Sequence, residues 1–347
     1  MALVFQLGFV GLILANHRWN PMVFVYEGSQ ISQKNPDGTL GYDGQFVYYI
    51  ARDPLNAAEF LTPPAHRYRR ILLPMLAWGI SLGGQPLLLP WVMVLTNCVA
   101  GAASVTLLAQ LLARRGAKPW YALTLMAYIG FVFSLRANLN ELLAVALALG
   151  GWLAYERSRL GVAVLLFGLA GLAKEMGLVI PLGLAAWELL NRRWRPALLL
   201  AGSSTPYLFW SIFLNIKYGA ASHLLTPTFI PFAGFQYLTE PISRIVVSLW
   251  VLLPAIAGSV WALLDLRRLP QRSRAGHLIF LVLANTALIA TLPQFTWPDP
   301  LAMFRTALGL VAVVLVWLAA YHPRLLPAAA ILWAPSGILL IMAPGML

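Results

Sequence analysis

Asp43 is the residue whose neighbours make it most useful chemically. It lies in Gly41-Tyr42-Asp43-Gly44-Gln45-Phe46-Val47-Tyr48-Tyr49-Ile50-Ala51-Arg52-Asp53-Pro54, a polar and aromatic stretch in a chain that is otherwise mostly apolar. A carboxylate among Tyr42, Phe46, Tyr48 and Tyr49 is expected to be partly desolvated, which raises its proton affinity. That is the property a general base needs. The plainer role for Asp43 is to cap a helix that begins at Gly44. Asp53 precedes a proline and reads as a turn residue.

The second group is Lys174-Glu175, with apolar helix on both sides and almost no loop. Charges at such depth are costly unless paired or functional. Either the two pair with each other at a tight turn, or Lys174 meets a phosphate and Glu175 orients a sugar or a partner residue. Arg305 opens a span, where a guanidinium suits a lipid phosphate or snorkels to the interface. Arg136, Asn138, Asn140 and Glu141 crowd one membrane boundary, as interface anchors or binding groups. The 216–244 loop brings Tyr218, His223, Gln236, Tyr237 and Glu240, with enough aromatic surface to stack on a sugar.

The elements that must hold these groups are membrane helices. The chain has 347 residues, 60% hydrophobic and 10% charged, a balance no soluble domain can cover with polar surface. Apolar runs of about 15–20 residues match the length of a spanning helix. Lipid leaves backbone groups no partner outside a helix, and no strand-like alternation is seen. The expected fold is an all-α polytopic domain over residues 1–347. Its spans are read near 2–19, 87–112, 120–135, 142–155, 160–173, 176–189, 196–214, 245–264, 278–292, 306–320 and 325–342. The 1–15 stretch lacks a basic n-region and reads as part of the first span, not as a signal peptide.

Two large loops remain, 27–86 and 216–244. Within the first, 71–84 is apolar but short. A helix of 14 residues reaches about 21 Å, against a hydrocarbon core of about 30 Å. It is expected to lie in the interface, led by Arg67-Tyr68-Arg69-Arg70, where the basic run can meet headgroups. A second short helix is expected over 44–52, stopped before Pro54.

The net charge of +12 does not indicate nucleic acid, because the basic residues are scattered in short clusters at segment ends. Arg114, Arg115 and Lys118 form one cluster; Arg157 and Arg159 another; Arg192, Arg193 and Arg195 a third. Arg267, Arg268, Arg272 and Arg274 form the fourth, and Arg324 closes the series. They follow every second span and so mark one face as cytoplasmic. That face holds three of the twelve acids, Glu156, Glu188 and Asp265, which places the rest, Asp43 included, on the outer face. Cys98 is the single cysteine, so there is no internal disulfide. No phosphate-binding loop, His-Glu-x-x-His motif or Cys/His cluster occurs, so neither ATP hydrolysis nor a zinc site is expected. The scarcity of charges within spans argues against an ion-coupled transporter.

The order of these features resembles the GT-C class of integral membrane glycosyltransferases. The features are a first span, a long outer loop with Tyr42-Asp43-Gly44-Gln45-Phe46, Tyr68-Arg69-Arg70-Ile71-Leu72-Leu73-Pro74 leading an interfacial helix, and the Ala173-Lys174-Glu175 turn. The likeness is nearest to the bacterial branch of cell-surface glycopolymer formation and runs from about Gly41 to Leu190. It implies a polyprenyl-phosphate-linked sugar donor and a glycan, lipid or protein acceptor on the outer face of the cytoplasmic membrane. Carried over, Asp43 is the catalytic base. Lys174 and Glu175 carry over to the donor site, and from the residues themselves Arg69, Arg70 and Arg305 are expected to meet the donor phosphate. Tyr42, Gln45, Arg136, Asn138, Glu141 and His223 line the substrate. Gly44 stands where some members carry a second acid, and Arg136 and Asn138 stand where relatives often show one. No cofactor is assigned, and a divalent metal stays open. A glycolipid flippase and a non-catalytic envelope scaffold are the rival expectations.

Overall fold

The computed structural model describes residues 1–219, 227–268 and 275–342. Every regular element among them is helical. Among the described residues, four helices are long and apolar enough to cross a membrane: Leu89–Ala113, Trp194–Tyr218, Pro241–Arg268 and Pro323–Ile341. A fifth span results if Pro300–Thr306 and Leu308–Tyr321, bent by 45° at Ala307, count as one. Three shorter apolar helices, Ala2–Asn16, Leu160–Ala173 and His277–Ala290, join them. The described residues therefore form an all-helical fold with helices long and apolar enough to span a membrane.

Besides the bend at Ala307, another expected span is broken. The 120–135 segment breaks at Tyr128, whose backbone is extended, into Leu123–Ala127 and Ile129–Arg136. The Ser336 hydroxyl accepts from the Ile129 N–H at 3.0 Å, which satisfies a donor that the break exposes within apolar surroundings.

Exposure sorts the helices by position. Leu308–Tyr321 is apolar on every side because it is buried on nearly every side, so it forms the centre. Trp194–Tyr218 lies at the periphery and turns Leu208, Phe209, Ile212, Phe213 and Ile216 outward, as a lipid-facing helix does.

For the site we label α1 (Asp43–Arg52), α2 (Pro64–Tyr68), α3 (Leu72–Ile80), α4 (Glu141–Glu156), α5 (Leu160–Ala173) and α6 (Pro300–Thr306). The first three lie in the long loop, and α3 has only nine residues, too few to cross a bilayer. α1 begins after Gly41, whose positive φ of 69° lets the chain turn while its backbone lies against Gly28 and Tyr26. It stops at Asp53, extended before Pro54. Gly44 rests on the Ala137 carbonyl, where a Cβ would come within 2.2 Å, so no second acid fits at that position.

The loop is a packed body. Phe46, Val47, Tyr48, Tyr49, Ile50, Ala65, Tyr68 and Leu73 share one core with Leu89 and Leu214 of spanning helices. Trp210 donates to the Tyr68 carbonyl at 2.8 Å, and Tyr68 stacks on Tyr218 with ring centroids 5.6 Å apart.

Candidate functional site

Tyr42 occupies the N-cap of α1 without a side-chain cap, and Asp43 falls in the first helical turn. The Asp43 carboxylate is thus not a helix cap. It points toward three cations from two other parts of the chain. Arg67 Nη1 of α2 donates to Oδ1 at 2.6 Å. Arg305 Nη1 of α6 donates to Oδ2 at 3.3 Å, and Arg70 Nη1 lies 3.8 Å from the same oxygen.

The guanidiniums have further anchors. Arg70 is held bidentately by Glu175, through Nη2 to Oε1 at 2.8 Å and Nε to Oε2 at 3.3 Å. Arg305 also donates to Glu141 Oε1 at 2.9 Å and lies 5.0 Å from the Tyr42 ring centroid. Arg67 sits 4.0 Å over the Phe46 ring and donates from Nε to the Thr62 carbonyl at 3.3 Å.

Lys174 and Glu175 do not pair with each other. Lys174 is extended, ends α5, and sends its ammonium to Glu141 at the start of α4, while Glu175 reaches Arg70. The turn itself is tight: Leu178 packs on Gly171 and Gly177 on Ala170.

These groups surround a cavity of about 660 Å³. Its polar wall carries Asp43, His66, Arg67, Arg69, Arg70, Lys174, Glu175, Asp299 and Arg305. Met176, Leu288, Leu292, Pro293, Phe295 and Ala302 give the same cavity apolar lining. Asp299 caps α6 through the Leu301 N–H at 2.9 Å and accepts from the Tyr42 hydroxyl at 2.5 Å, which ties the long loop to α6. Five arginines and lysines line the space against three carboxylates.

The electrostatics differ from the expectation of a desolvated base. Burial pushes the Asp43 carboxyl up, but Arg67, Arg305 and Arg70 outweigh it and hold it well below the usual carboxylate range. Tyr48 and Tyr49 are buried in the loop core, and Phe46 carries Arg67, so of the flanking aromatics only Tyr42 reaches the cavity. Burial, reinforced by Arg70, pushes His66 down to about 3, so the imidazole is neutral at ordinary pH. Burial lowers Lys174 to about 8 against the pull of Glu141.

Of the residues selected from sequence, Asp43, Tyr42, Arg69, Arg70, Lys174, Glu175 and Arg305 line one space. Four others are placed differently. Gln45 is buried and staples the loop, accepting from Gly28 N at 3.0 Å and donating to Leu40 O at 2.8 Å. Arg136 is buried, donates to the Val23 carbonyl at 2.7 Å and packs over Tyr26 at 4.5 Å. Asn138 is buried and accepts from Asn97 at 3.2 Å. Glu141, 1% exposed, lies behind the wall as counter-ion to Lys174 and Arg305. His223, Arg272 and Arg274 lie outside the described residues.

Arg67 is the main omission, having been read only as part of a headgroup-facing run. A signal existed: His66, Arg67 and Arg70 are spaced i, i+1 and i+4, close enough to project from one side of a turn. Among the described residues no group of three His, Cys, Asp or Glu side chains could hold a metal ion. The chain matches no protein-family model, no curated protein and no solved structure.

Proposed function

We propose that this protein is an integral membrane glycosyltransferase, with the GT-C plan of about eleven crossings in the bacterial cytoplasmic membrane. The three shorter apolar helices, α4, Val179–Leu190 and the broken 123–136 segment complete that number, and the Asp43 cavity opens on the outer face. The donor is a polyprenyl-phosphate-linked sugar, and the acceptor is a hydroxyl of a cell-envelope molecule. The observation that carries this reading is a partly exposed carboxylate, Asp43, in a cavity lined by both cationic and apolar side chains. A lipid-linked sugar phosphate has a matching part for each.

The reaction is a direct displacement with inversion. The acceptor oxygen attacks the anomeric carbon as its proton passes to an Asp43 carboxylate oxygen. The bond from that carbon to the phosphate oxygen breaks, and its electron pair leaves with the lipid phosphate. Arg70, Arg305 and Lys174 neutralise the departing charge, so no strong acid is needed. Lys174 and Arg305 keep Glu141 as a fixed counter-ion, which holds their positions.

The test is reconstitution of the full chain in lipid with a panel of polyprenyl-phosphate-linked hexoses and pentoses. Release of polyprenyl phosphate is then followed with and without envelope acceptors. Turnover by the wild type that vanishes in Asp43→Asn supports the reading. Movement of the intact donor across the bilayer without bond cleavage would instead identify a flippase, and normal turnover in Asp43→Asn would remove Asp43 as the base.

A further inference from the structure

A base whose carboxylate is held by three guanidiniums is a poor proton acceptor, so the empty site as arranged is not ready to react. This tension points to how the site is switched on. We propose that the Asp43 carboxylate occupies the phosphate position of the empty site, and that the donor phosphate displaces it from Arg67, Arg70 and Arg305 and thereby frees it to act as base. The inference rests on the reading that the donor carries a phosphate.

Three observations on the cluster support it. First, the cations keep their places without Asp43. Glu175 holds Arg70, Glu141 holds Arg305, and the Phe46 ring with the Thr62 carbonyl holds Arg67. Second, the Asp43 carboxylate makes no other hydrogen bond among the described residues. It is in the first turn of α1, caps nothing, and bonds only to the Arg67 and Arg305 guanidiniums, with Arg70 nearby. It is therefore the movable member, on a side chain 23% exposed to the cavity. Third, the cations front the open space, where an incoming anion meets them. Phosphate offers more acceptor oxygens than a carboxylate and matches the guanidinium fork, so the exchange replaces one set of charge-assisted bonds with another.

Freed of its partners, Asp43 keeps its partly buried setting and loses the charges that depress its basicity. Donor binding then precedes proton acceptance, and an acceptor alcohol that arrives first meets an inactive carboxylate. This ordering also limits idle hydrolysis of the donor, because the base is formed only in the filled site.

The inference makes an inverted prediction: removing the base should strengthen donor capture. Binding of farnesyl phosphate to the full-length protein in detergent is measured for the wild type, Asp43→Asn, Asp43→Ala and Glu175→Gln. Farnesol and inorganic phosphate serve as parallel probes, and thermal unfolding reports whether each variant is folded. Displacement predicts that Asp43→Asn and Asp43→Ala bind farnesyl phosphate about tenfold tighter or more. Inorganic phosphate should gain in parallel and farnesol should not. Acetate added to the alanine variant should refill the vacancy and weaken farnesyl phosphate again. Glu175→Gln removes a charge from the same cavity but also the anchor of Arg70, so its binding should stay equal or fall.

Equal or weaker binding by both Asp43 variants would overturn the displacement, as would an equal gain in Glu175→Gln, which would reduce the effect to net charge. If neither the wild type nor any folded variant binds farnesyl phosphate, the phosphate-donor reading itself fails. The two failures are thereby told apart without any turnover measurement.

Discussion

The two ends of α4 carry the same chemistry put to different use. The helix is 16 residues, roughly 24 Å, long, and has a glutamate at each end. At the far end Glu156 meets Arg115, Arg114 at 3.1 Å and His277 at 3.2 Å. The Trp152 ring lies 5.9 Å from the Arg115 guanidinium carbon, and the Trp152 and Tyr155 rings pack edge-on to His277. Glu156, Arg115 and His277 are all nearly buried. At the near end Glu141 meets Lys174 and Arg305, but those cations continue outward to Asp43, Arg70 and an open cavity. One cluster is nearly buried and ties helices together. The other lines an open cavity. Residue types and charge balance do not separate a structural ion cluster from a site here; access to an open cavity does.

Substitutions can break or sharpen this contrast. The largest effect is expected for Asp43→Asn, which should lower transfer by about a thousandfold or more, as loss of a general base does, with little change in the unfolding midpoint. Next is the opposite behaviour at the other end. Glu156→Gln should cost about 3 kcal/mol of stability, because Arg115 is left buried without its partner, while turnover per folded molecule stays the same. Denaturant unfolding alongside initial rates checks both. A large loss of turnover in Glu156→Gln with stability intact would erase the distinction.

Arg305→Gln should fall between the two. It leaves Glu141 paired with Lys174 and takes one cation from the cavity, so donor affinity should drop about tenfold with a modest loss of stability. The smallest effect concerns pH. Lys174 is depressed to about 8, so its positive charge is lost as pH rises through that value, and donor capture should weaken on the alkaline side. Lys174→Arg should flatten that limb, since a guanidinium stays charged. An unchanged limb in that variant would assign the titration to another group.

Much of this was legible in local pattern. The shortness of α3 followed from counting residues, and the end of α1 followed from Pro54, because length and proline sterics act within a few residues. Asp43 stood out because a polar stretch is rare in so apolar a chain. Partners were not legible. Adjacent Lys174 and Glu175 suggested a mutual pair, yet extended backbone at Lys174 sends neighbouring side chains apart, and each finds a charge from another element. The aromatic run around Asp43 suggested a desolvating pocket, but the α1 register turns Tyr48 and Tyr49 into the loop core. Arg136 looked like a ligand and proved an anchor for the chain near Val23, because nothing in its own segment marks a carbonyl 113 positions away.

Composition and segment length determined by themselves that the chain is helical and built to cross a bilayer, since burying a backbone in lipid leaves few alternatives. They also determined where its exceptional polar stretch lies. Only the folded arrangement decided that Asp43 faces Arg67, Arg70 and Arg305, that Glu141 stands behind them, and that a cavity opens between. Hydropathy is summed along a helix, whereas electrostatic pairing depends on distances of a few ångströms between residues up to 262 positions apart.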